Sequence, residues 1–227
     1  MSKRQKRTPT EPEPKPIRFR LLPRNDSQTN YLDAIRNSDI TFGIGPAGTG
    51  KTFVATAAAV LALKDREVSK IILARPAVEA GEKLGFLPGS LQDKVDPYML
   101  ALYDALGKML PPEKVKDMIE SKTIEVAAIG FLRGRTLENS FVIIDEAQNL
   151  SREQLKMVLT RFGPGSKMVV NGDITQIDLP DPKKSGLVEA LRILKNVKEV
   201  SCVHFLDKDV VRHSTVKKIV EAYQNAE

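Results

Sequence analysis

The feature that most constrains this chain is a glycine-rich segment at residues 45–52, which reads GPAGTGKT. It matches the phosphate-binding pattern GxxxxGK(S/T) at every fixed position. An apolar run at 40–44 precedes it and an alanine-rich apolar run at 53–63 follows it, so the segment is expected to connect a buried strand to a helix. The backbone amides of such a loop, and the N-terminus of the helix behind it, face phosphate oxygens. The spacing therefore predicts a nucleoside triphosphate site at the start of a helix.

The loop residues have distinct expected roles. Lys51 is expected to reach the β- and γ-phosphates, and the Thr52 hydroxyl is expected to hold Mg²⁺. The predicted nucleotide contacts are Gly45, Pro46, Ala47, Gly48, Thr49, Gly50, Lys51, Thr52 and Phe53. A competing pattern overlaps the loop, since residues 43–48 also fit the GxGxxG of dinucleotide-binding units and acids follow about 20 residues further on. That pattern leaves Lys51 and Thr52 without a role, so the triphosphate interpretation is preferred.

Two acids follow a second buried strand pattern. Residues 141–144 read FVII, an unbroken apolar run typical of a central parallel strand, and Asp145 and Glu146 come directly after it. Because ligands of parallel sheets bind at the carboxyl ends of strands, this strand is expected to adjoin the loop region. Asp145 is then a predicted Mg²⁺ ligand, and Glu146 is the predicted general base that polarises the attacking water, which favours hydrolysis over transfer. The alternative is that the pair only stabilises the N-terminus of a helix predicted over 147–162.

Two amides complete the candidate site. Residues 168–170 predict a further strand, and the polar segment after it contains Asp173 and Gln176. Gln176 is expected to reach the γ-phosphate or its water, with Asp173 orienting it, unless the segment is only a Gly-Asp turn. Gln28 lies about a dozen residues before the loop strand. Its carboxamide is suited to reading an adenine edge, and the alternative is a solvated residue in the first turn of a helix.

Five segments together carry a family resemblance. They are GPAGTGKT at 45–52, ARPAVEAGEKLGFLPG at 74–89, RGRTL at 133–137, DEAQN at 145–149 and GDITQ at 172–176. In combination they resemble the PhoH-like ATPases, whose P-loop domain is similar to the first RecA-like domain of superfamily 1 helicases. The resemblance runs from about residue 20 to the end of the chain. The second and third segments are the more specific ones, because many families share the phosphate loop.

The resemblance implies a fold, an activity and partners. The implied fold is a single α/β domain of the RecA-like P-loop NTPase type, with a mostly parallel sheet and helices on both faces. The implied activity is ATP hydrolysis with Mg²⁺, as in a helicase-like motor or clamp on single-stranded RNA or DNA. The segment at 74–89 corresponds to the region that contacts the single strand in helicases. Gln28 corresponds to an adenine-reading glutamine and Gln176 to a γ-phosphate sensor.

A single domain raises the question of a missing arginine. Helicases of this superfamily close ATP between two RecA-like domains, and an arginine from the second domain stabilises the γ-phosphate. Loss of such an arginine slows phosphoryl transfer by about 10³–10⁵. A neighbouring subunit that supplies the arginine through a head-to-tail contact would close a ring, so we expect a homo-oligomer, a hexamer by analogy with other single-domain motors. Arg212 is the first candidate for this catalytic arginine, ahead of Arg133, Arg135 and Arg161.

Composition bounds the rest of the molecule. The 227 residues, 41% of them hydrophobic, predict one ATPase domain at 17–227 after a disordered basic tail at 1–16. Seven basic and two acidic residues give residues 1–20 a charge of +5, which leaves only +1 of the net +6 for the remaining chain. The tail is either an electrostatic tether to nucleic acid or a solubilising segment. No apolar run approaches the ~20 residues of a membrane span, no signal peptide is visible, and the single Cys202 suits a reducing cytoplasm.

Three functions stay open on the sequence alone. The first is the ATPase motor or clamp on single-stranded RNA or DNA, the second an ATP-driven switch on a protein partner, and the third a small-molecule kinase. The near-neutral body favours the second, and a water-activating Glu146 argues against the third. The remaining predicted elements are a strand at 17–22, a helix at 27–37, a strand at 71–74, helical segments between 90 and 120, a strand at 124–128, a helix at 187–194, a strand at 199–206 and a helix at 210–223.

Overall fold

Strands and helices alternate along the chain. A computed structural model describes residues 19–76, 100, 102–211, 215, 216, 219 and 222. The strands are β1 Ile40–Ile44, β2 Lys70–Arg75, β3 Ile124–Ala128, β4 Ser140–Ile144, β5 Lys167–Gly172 and β6 Val200–His204. The longer helices are α1 Asp26–Asn37, α2 Lys51–Lys64, α3 Pro112–Glu120, α4 Arg152–Leu159 and α5 Gly186–Leu194, and residues 102–107 are also helical.

Within the described residues, the strands form one parallel sheet in the order β3-β2-β4-β5-β1-β6. All five residues of β4 are buried, as the unbroken apolar pattern at 141–144 predicts. β5 lies between β4 and β1, so the strand before Asp145 is not a direct neighbour of the loop strand. The two strands nevertheless deliver their residues to the same place, because the carboxyl ends of parallel strands share one edge of the sheet.

Helices cover both faces of this sheet. Successive side chains of a strand point to opposite faces, so β4 contributes Phe141 and Ile143 to one core and Val142 and Ile144 to the other. The first core is completed by α1, α2 and the 102–107 helical residues, and the second by α4 and α5. This is the doubly covered α/β sheet of a RecA-like P-loop NTPase, and it confirms the predicted fold class. Among the described residues, none of the helices combines the length and the apolarity that spanning a bilayer requires.

The helix predicted over 147–162 is wrong as a single element. A short turn at 147–149 is followed by α4, which begins after Ser151. The Ser151 side chain accepts a hydrogen bond from the Gln154 amide, and the Gln154 side chain accepts one from the Ser151 amide. This capping box starts a new helix at Arg152. The Ser151 and Gln154 pattern of this capping box is visible in the sequence, but the prediction extended a single helix across it.

The predicted entry strand at 17–22 is also wrong over its described part. Residues 19–22 form no strand. Phe19 and Leu21 instead pack against the first core. Of the predicted helical region between 90 and 120, residues 90–99 and 101 lie outside the described residues, while 102–107 and α3 are helical. Of the last predicted helix, at 210–223, the described residues 215, 216, 219 and 222 are helical, whereas 210 and 211 are not.

Candidate nucleoside triphosphate site

A cavity of about 380 Å³ opens at the carboxyl edge of the sheet. Its lining combines the loop, the acids after β4 and the polar segment after β5, which the sequence predicts to meet. The lining residues are Ala47, Gly48, Gly50, Lys51, Thr52, Phe53, Asp104, Ala105, Lys108, Asp145, Glu146, Gly172, Asp173 and Gln176. Of the other predicted contacts, Gly45, Pro46, Thr49 and Gln28 do not line the cavity.

The loop conformation depends on glycine at two positions. Gly45 has φ +145°, and a Cβ there would clash with the Phe205 carbonyl oxygen. Gly50 has φ +88°, and a Cβ there would lie 2.6 Å from the Gln28 amide nitrogen. A side chain at either position would be strained both by the backbone and by the space. Gly50 is also the residue before α2, so this turn delivers the N-terminus of α2 to the cavity.

Lys51 is folded back onto its own loop. Its Nζ donates to the carbonyl oxygens of Gly45 at 2.5 Å and Pro46 at 2.8 Å. Burial lowers the pKa of Lys51, and the charges of Asp173 and Asp145 oppose that shift. A buried ammonium whose hydrogen bonds go to neutral oxygens gains from an anionic partner. Phosphate oxygens at the mouth of the loop would supply such an anionic partner.

The Thr52 hydroxyl and the Asp145 carboxylate lie side by side. Thr52 Oγ1 donates to Asp145 Oδ1 at 2.9 Å. Burial raises the pKa of Asp145, as does the charge of Glu146, while the hydrogen bond from Thr52 and the charge of Arg75 oppose the rise. A cation bound beside this buried carboxylate would stabilise its charged form.

Asp173 adds a second buried carboxylate to the same wall. Its Oδ1 accepts from the Thr175 amide at 2.9 Å and from the Thr175 hydroxyl. Its Oδ2 is buried and has no hydrogen-bond partner within the described part of the chain. Hydroxyl and carboxylate oxygens are the ligands that Mg²⁺ takes in proteins. The adjacent oxygens of Thr52 and Asp145 fit a bound Mg²⁺, and the orphaned oxygen of Asp173 is a further acceptor in the same cavity lining.

Glu146 is held in an unusual conformation. Its backbone is left-handed, with φ 54° and ψ 39°, which a non-glycine residue rarely adopts. Its Oε1 accepts from Arg75 Nη2 at 3.3 Å, and its Oε2 accepts from Gln148 Nε2 at 2.6 Å. Both carboxylate oxygens are therefore engaged by neighbouring side chains.

Gln148 connects three parts of the site. It is almost fully buried, and besides Glu146 it contacts the segment after β5. Its Oε1 accepts from the Asp173 amide at 3.0 Å, and its Nε2 donates to the Gln176 carbonyl at 3.1 Å. The Gln176 amide closes a turn onto the Asp173 carbonyl, and the Gln176 residue lines the cavity. Gln176 therefore lies in a turn, as the alternative interpretation has it, and also at the cavity, and its contact with the γ-phosphate or its water stays a prediction.

Four further side chains at the site, Arg75, Gln148, Asp104 and Lys108, are not among the predicted site residues. Arg75 and Gln148 stand inside the quoted family segments, and both follow buried strand patterns, which is the signal that marks them. Asp104 and Lys108 line the cavity from the 102–107 helical residues and their C-terminal end. The Lys108 ammonium lies 5.9 Å from the centre of the Phe53 ring.

Gln28 is buried and not solvated. Its Nε2 donates to the Thr49 carbonyl at 2.9 Å, and its Oε1 accepts from the Arg24 amide at 2.9 Å. The carboxamide thus holds the phosphate loop from behind. A second clamp comes from the segment after β6, where the Val211 amide donates to the Gly48 carbonyl at 2.9 Å.

The candidate catalytic arginines have different surroundings. Arg135 forms an ion pair with Glu125, with Nη2 at 2.8 Å from Oε2. Arg161 donates to the carbonyls of Met157 and Arg135, both at 3.3 Å. Arg133 is exposed. Arg212 lies outside the described residues, directly after Val211.

Comparisons with known proteins agree with this geometry. The family model described as "PhoH-like protein" matches residues 20–224. A PhoH-like protein of Synechocystis is 59% identical over 200 residues, which cover 88% of this chain and 61% of the relative. A PhoH-like protein of Mycobacterium leprae is 53% identical over 207 residues, which cover 91% of this chain and 59% of the relative. The chain therefore spans about 60% of the length of these relatives.

A solved structure shares the fold. The large terminase of a thermophilic bacteriophage is 16% identical with a TM-score of 0.56, over 87% of this chain and 48% of that chain. The same terminase in complex with ADP gives a TM-score of 0.51 over 86% of this chain and 49% of that chain. This likeness shows the shared P-loop ATPase fold. Together with the family match and the identity to its relatives, it leads to the conclusion that the chain belongs to the PhoH-like protein family.

Proposed function

We propose that this chain binds ATP with Mg²⁺ and hydrolyses the bond between the β- and γ-phosphates. The observation that carries the proposal is the convergence of Lys51, the Thr52–Asp145 pair and Glu146 on one cavity. The ADP complex of the structurally similar terminase supports an adenine nucleotide as the ligand. The choice of hydrolysis over transfer rests on Glu146, a carboxylate beside the phosphate-binding residues that is suited to activating water.

Each residue has one task in this reaction. The amides of the loop and Lys51 bind the β- and γ-phosphates, and Thr52 and Asp145 hold the metal. A bound Mg²⁺ supplies charge neutralisation on the phosphate oxygens. Glu146 accepts a proton from the water that attacks the γ-phosphorus, while the bond to the β-phosphate oxygen breaks and ADP and phosphate form. Gln176 orients that water.

The charges of the cavity lining favour a further cationic side chain from outside the lining. The lining carries four carboxylates, at 104, 145, 146 and 173, against the two ammonium groups of Lys51 and Lys108 and the guanidinium of Arg75, which pairs with Glu146 from outside the lining. Adding a triphosphate increases the negative charge further, even with one Mg²⁺. An arginine outside the lining would offset this excess in the transition state. In a head-to-tail ring, a hexamer by analogy, a neighbouring subunit would supply this arginine and complete the site.

The surroundings of the arginines change their order as candidates. Arg135 and Arg161 are engaged within their own chain. Arg133 is exposed and is the better candidate to reach a neighbour. Arg212 lies outside the described residues, so its place as the first candidate stays a prediction from the sequence.

The finer proposal is a motor or clamp on single-stranded RNA or DNA in the cytoplasm. Its support is the family resemblance at 74–89, a segment that begins in β2 beside the candidate base. The competing proposal is an ATP-driven switch on a protein partner, which the near-neutral body of the chain favours. Nucleic acid that binds the body needs a local basic patch, because the bulk charge supplies none.

One experiment separates these proposals. Phosphate release from ATP and Mg²⁺ is measured without polymer, with single-stranded RNA and with single-stranded DNA, using Lys51→Ala as the blank. Stimulation by one polymer supports the nucleic-acid motor and identifies its track. Hydrolysis that is indifferent to both polymers supports the protein-directed switch. Formation of ADP without phosphate release would contradict hydrolysis and favour a kinase.

A further inference from the structure

We infer that Arg75 is a positioning residue that restrains Glu146, so that the rate of hydrolysis is limited by release of this ion pair. The inference rests on the proposed function, since it assigns Glu146 as the base. It concerns a residue that acts through Glu146 and does not itself contact the phosphates.

Strand pairing brings the two residues together. β2 and β4 are neighbours with Ala74 opposite Ile144, and the Asp145 amide donates to the Ala74 carbonyl at 2.9 Å. Arg75 is the last residue of β2 and Glu146 lies two residues beyond the end of β4. The ion pair therefore spans the carboxyl ends of adjacent strands, at the rim of the cavity.

The hydrogen bonds to the Glu146 carboxylate do not favour its action as a general base. Arg75 Nη2 lies 3.3 Å from Glu146 Oε1, and Gln148 Nε2 lies 2.6 Å from Glu146 Oε2. A general base needs an oxygen directed at the water whose proton it takes. Here one oxygen is directed at a guanidinium and the other at an amide. This conformation is therefore the resting state of Glu146, before it acts as a base.

The backbone of Glu146 is consistent with a restrained state. Its left-handed φ and ψ persist only where surrounding contacts maintain them, and such outliers are frequent at sites that change state. Gln148 is almost fully buried and bonded to the backbone of Asp173 and Gln176, so it is a fixed anchor. Arg75 and Glu146 expose 26% and 37% of their side chains, so this contact is the one that opens more readily.

The exposure of the pair also sets the size of the effect. Partly exposed ion pairs are weak because water and salt screen them. Breaking such a contact corresponds to a rate change of about twofold to fivefold when release is limiting. The effect is therefore expected in kcat, with little change in KM for ATP, because the phosphate-binding residues are untouched.

The experiment compares Arg75→Ala and Arg75→Lys with a matched control. Arg152→Ala removes another arginine–glutamate pair, Arg152 with Glu189 at 2.8 Å, which does not line the cavity. We expect kcat of Arg75→Ala to rise about twofold to fivefold, Arg75→Lys to lie between it and the wild type, and Arg152→Ala to match the wild type. Thermal unfolding of each variant shows whether it is folded.

A second background tests whether Arg75 acts through Glu146. In Glu146→Gln, adding Arg75→Ala should leave the residual rate unchanged. A fall in kcat of Arg75→Ala, an unchanged kcat, or an equal gain in the Glu146→Gln background would overturn the inference. The proposed function is judged separately, by whether the wild type releases phosphate above the Lys51→Ala blank. A wild type at the level of the blank overturns both.

Discussion

The two walls of the cavity are held in different ways. The phosphate loop is bonded from behind by groups that do not line the cavity, with Gln28 on the Thr49 carbonyl and the Val211 amide on the Gly48 carbonyl. The acidic wall is held at Glu146 by a partly exposed ion pair to Arg75 and by a hydrogen bond from the Gln148 side-chain amide. The loop contacts are hydrogen bonds to main-chain carbonyls of a glycine-dependent turn. The acidic contacts are between side chains, which move without unfolding the strands.

This difference separates binding from chemistry. A loop that is fixed before the ligand arrives binds phosphate without paying for its own ordering. A base that is held by weak contacts is able to change partners when the nucleotide is in place. Changes in the loop wall should therefore alter stability and affinity together, whereas changes at Arg75 and Glu146 should alter the rate and leave affinity intact.

The largest expected effect is the loss of hydrolysis in Glu146→Gln. The substitution removes the proton acceptor and keeps the shape of the side chain, so kcat should fall by about 10²–10⁴. Affinity for ATP, measured by equilibrium titration, should stay within about threefold of the wild type because Lys51 and the loop are untouched. Normal turnover by this variant would remove Glu146 from the role of base and with it the contrast between the walls.

The next effect is expected at Gly45. In Gly45→Ala the new Cβ clashes with the Phe205 carbonyl oxygen in a backbone conformation that alanine disfavours. The free energy of unfolding should fall by about 1–3 kcal/mol, with a matching loss of ATP affinity. Gly130→Ala is the control, because a Cβ at Gly130 meets nothing within 4 Å. Equal denaturation midpoints for the two variants would show that the loop is not held as described.

Gln28→Ala sharpens the comparison by testing how the loop is held. It leaves the Thr49 carbonyl and the Arg24 amide without their buried partner, which should lower the free energy of unfolding by about 1–3 kcal/mol. Asn30→Ala, an exposed amide on the same helix, should change it by less than about 0.5 kcal/mol.

The nucleotide preference of Gln28→Ala distinguishes the two roles of this residue. If Gln28 only supports the loop, affinities for ATP and GTP should fall together in equilibrium titration. If it also reads adenine, the preference for ATP over GTP should shrink. Unchanged stability and unchanged affinity for both nucleotides would contradict the supporting role.

The smallest effect is a pH-dependent one in Asp145→Asn. Burial raises the pKa of Asp145 in the folded chain, so its charged form costs stability. That cost is fully present above the raised folded pKa and vanishes as the pH falls below the ordinary carboxyl value. Without nucleotide, Asp145→Asn should therefore unfold at a higher temperature than the wild type near neutral pH, and the difference should shrink towards acid pH. A difference that grows on acidification would contradict this assignment.

The dependence of stability on Mg²⁺ is a second test of Asp145. In the wild type, Mg²⁺ together with ATP should raise the unfolding temperature more than ATP alone, by mass action on the folded state. In Asp145→Asn this additional gain should be lost, since one of the proposed ligands has become an amide. A retained gain would assign the metal to other residues.

The sequence predicts the parts of the site that lie in contiguous segments of the chain. The loop, the FVII strand with its two acids and the segment after β5 each carry a strand-end signal, and the parallel sheet brings them together. The Arg75–Glu146 and Gln28–Thr49 contacts depend on which elements pair across the fold, and periodicity does not reveal that.

The wrong elements have similar causes. In the predicted strand at 17–22, the described residues Phe19 and Leu21 pack against the first core and form no strand. The helix at 147–162 needed a continuous backbone, which the capping box at Ser151 interrupts. In both cases a local pattern was overridden by a competing contact.

The most direct test of the central claim is phosphate release from ATP with Mg²⁺ by the wild type and by Lys51→Ala, measured beside ATP affinity for both. The account predicts release by the wild type, and loss of both release and affinity in Lys51→Ala, because Lys51 belongs to the binding wall. Release by Lys51→Ala at the wild-type rate, or a wild type that binds ATP and releases no phosphate under any of the polymer conditions, would contradict it.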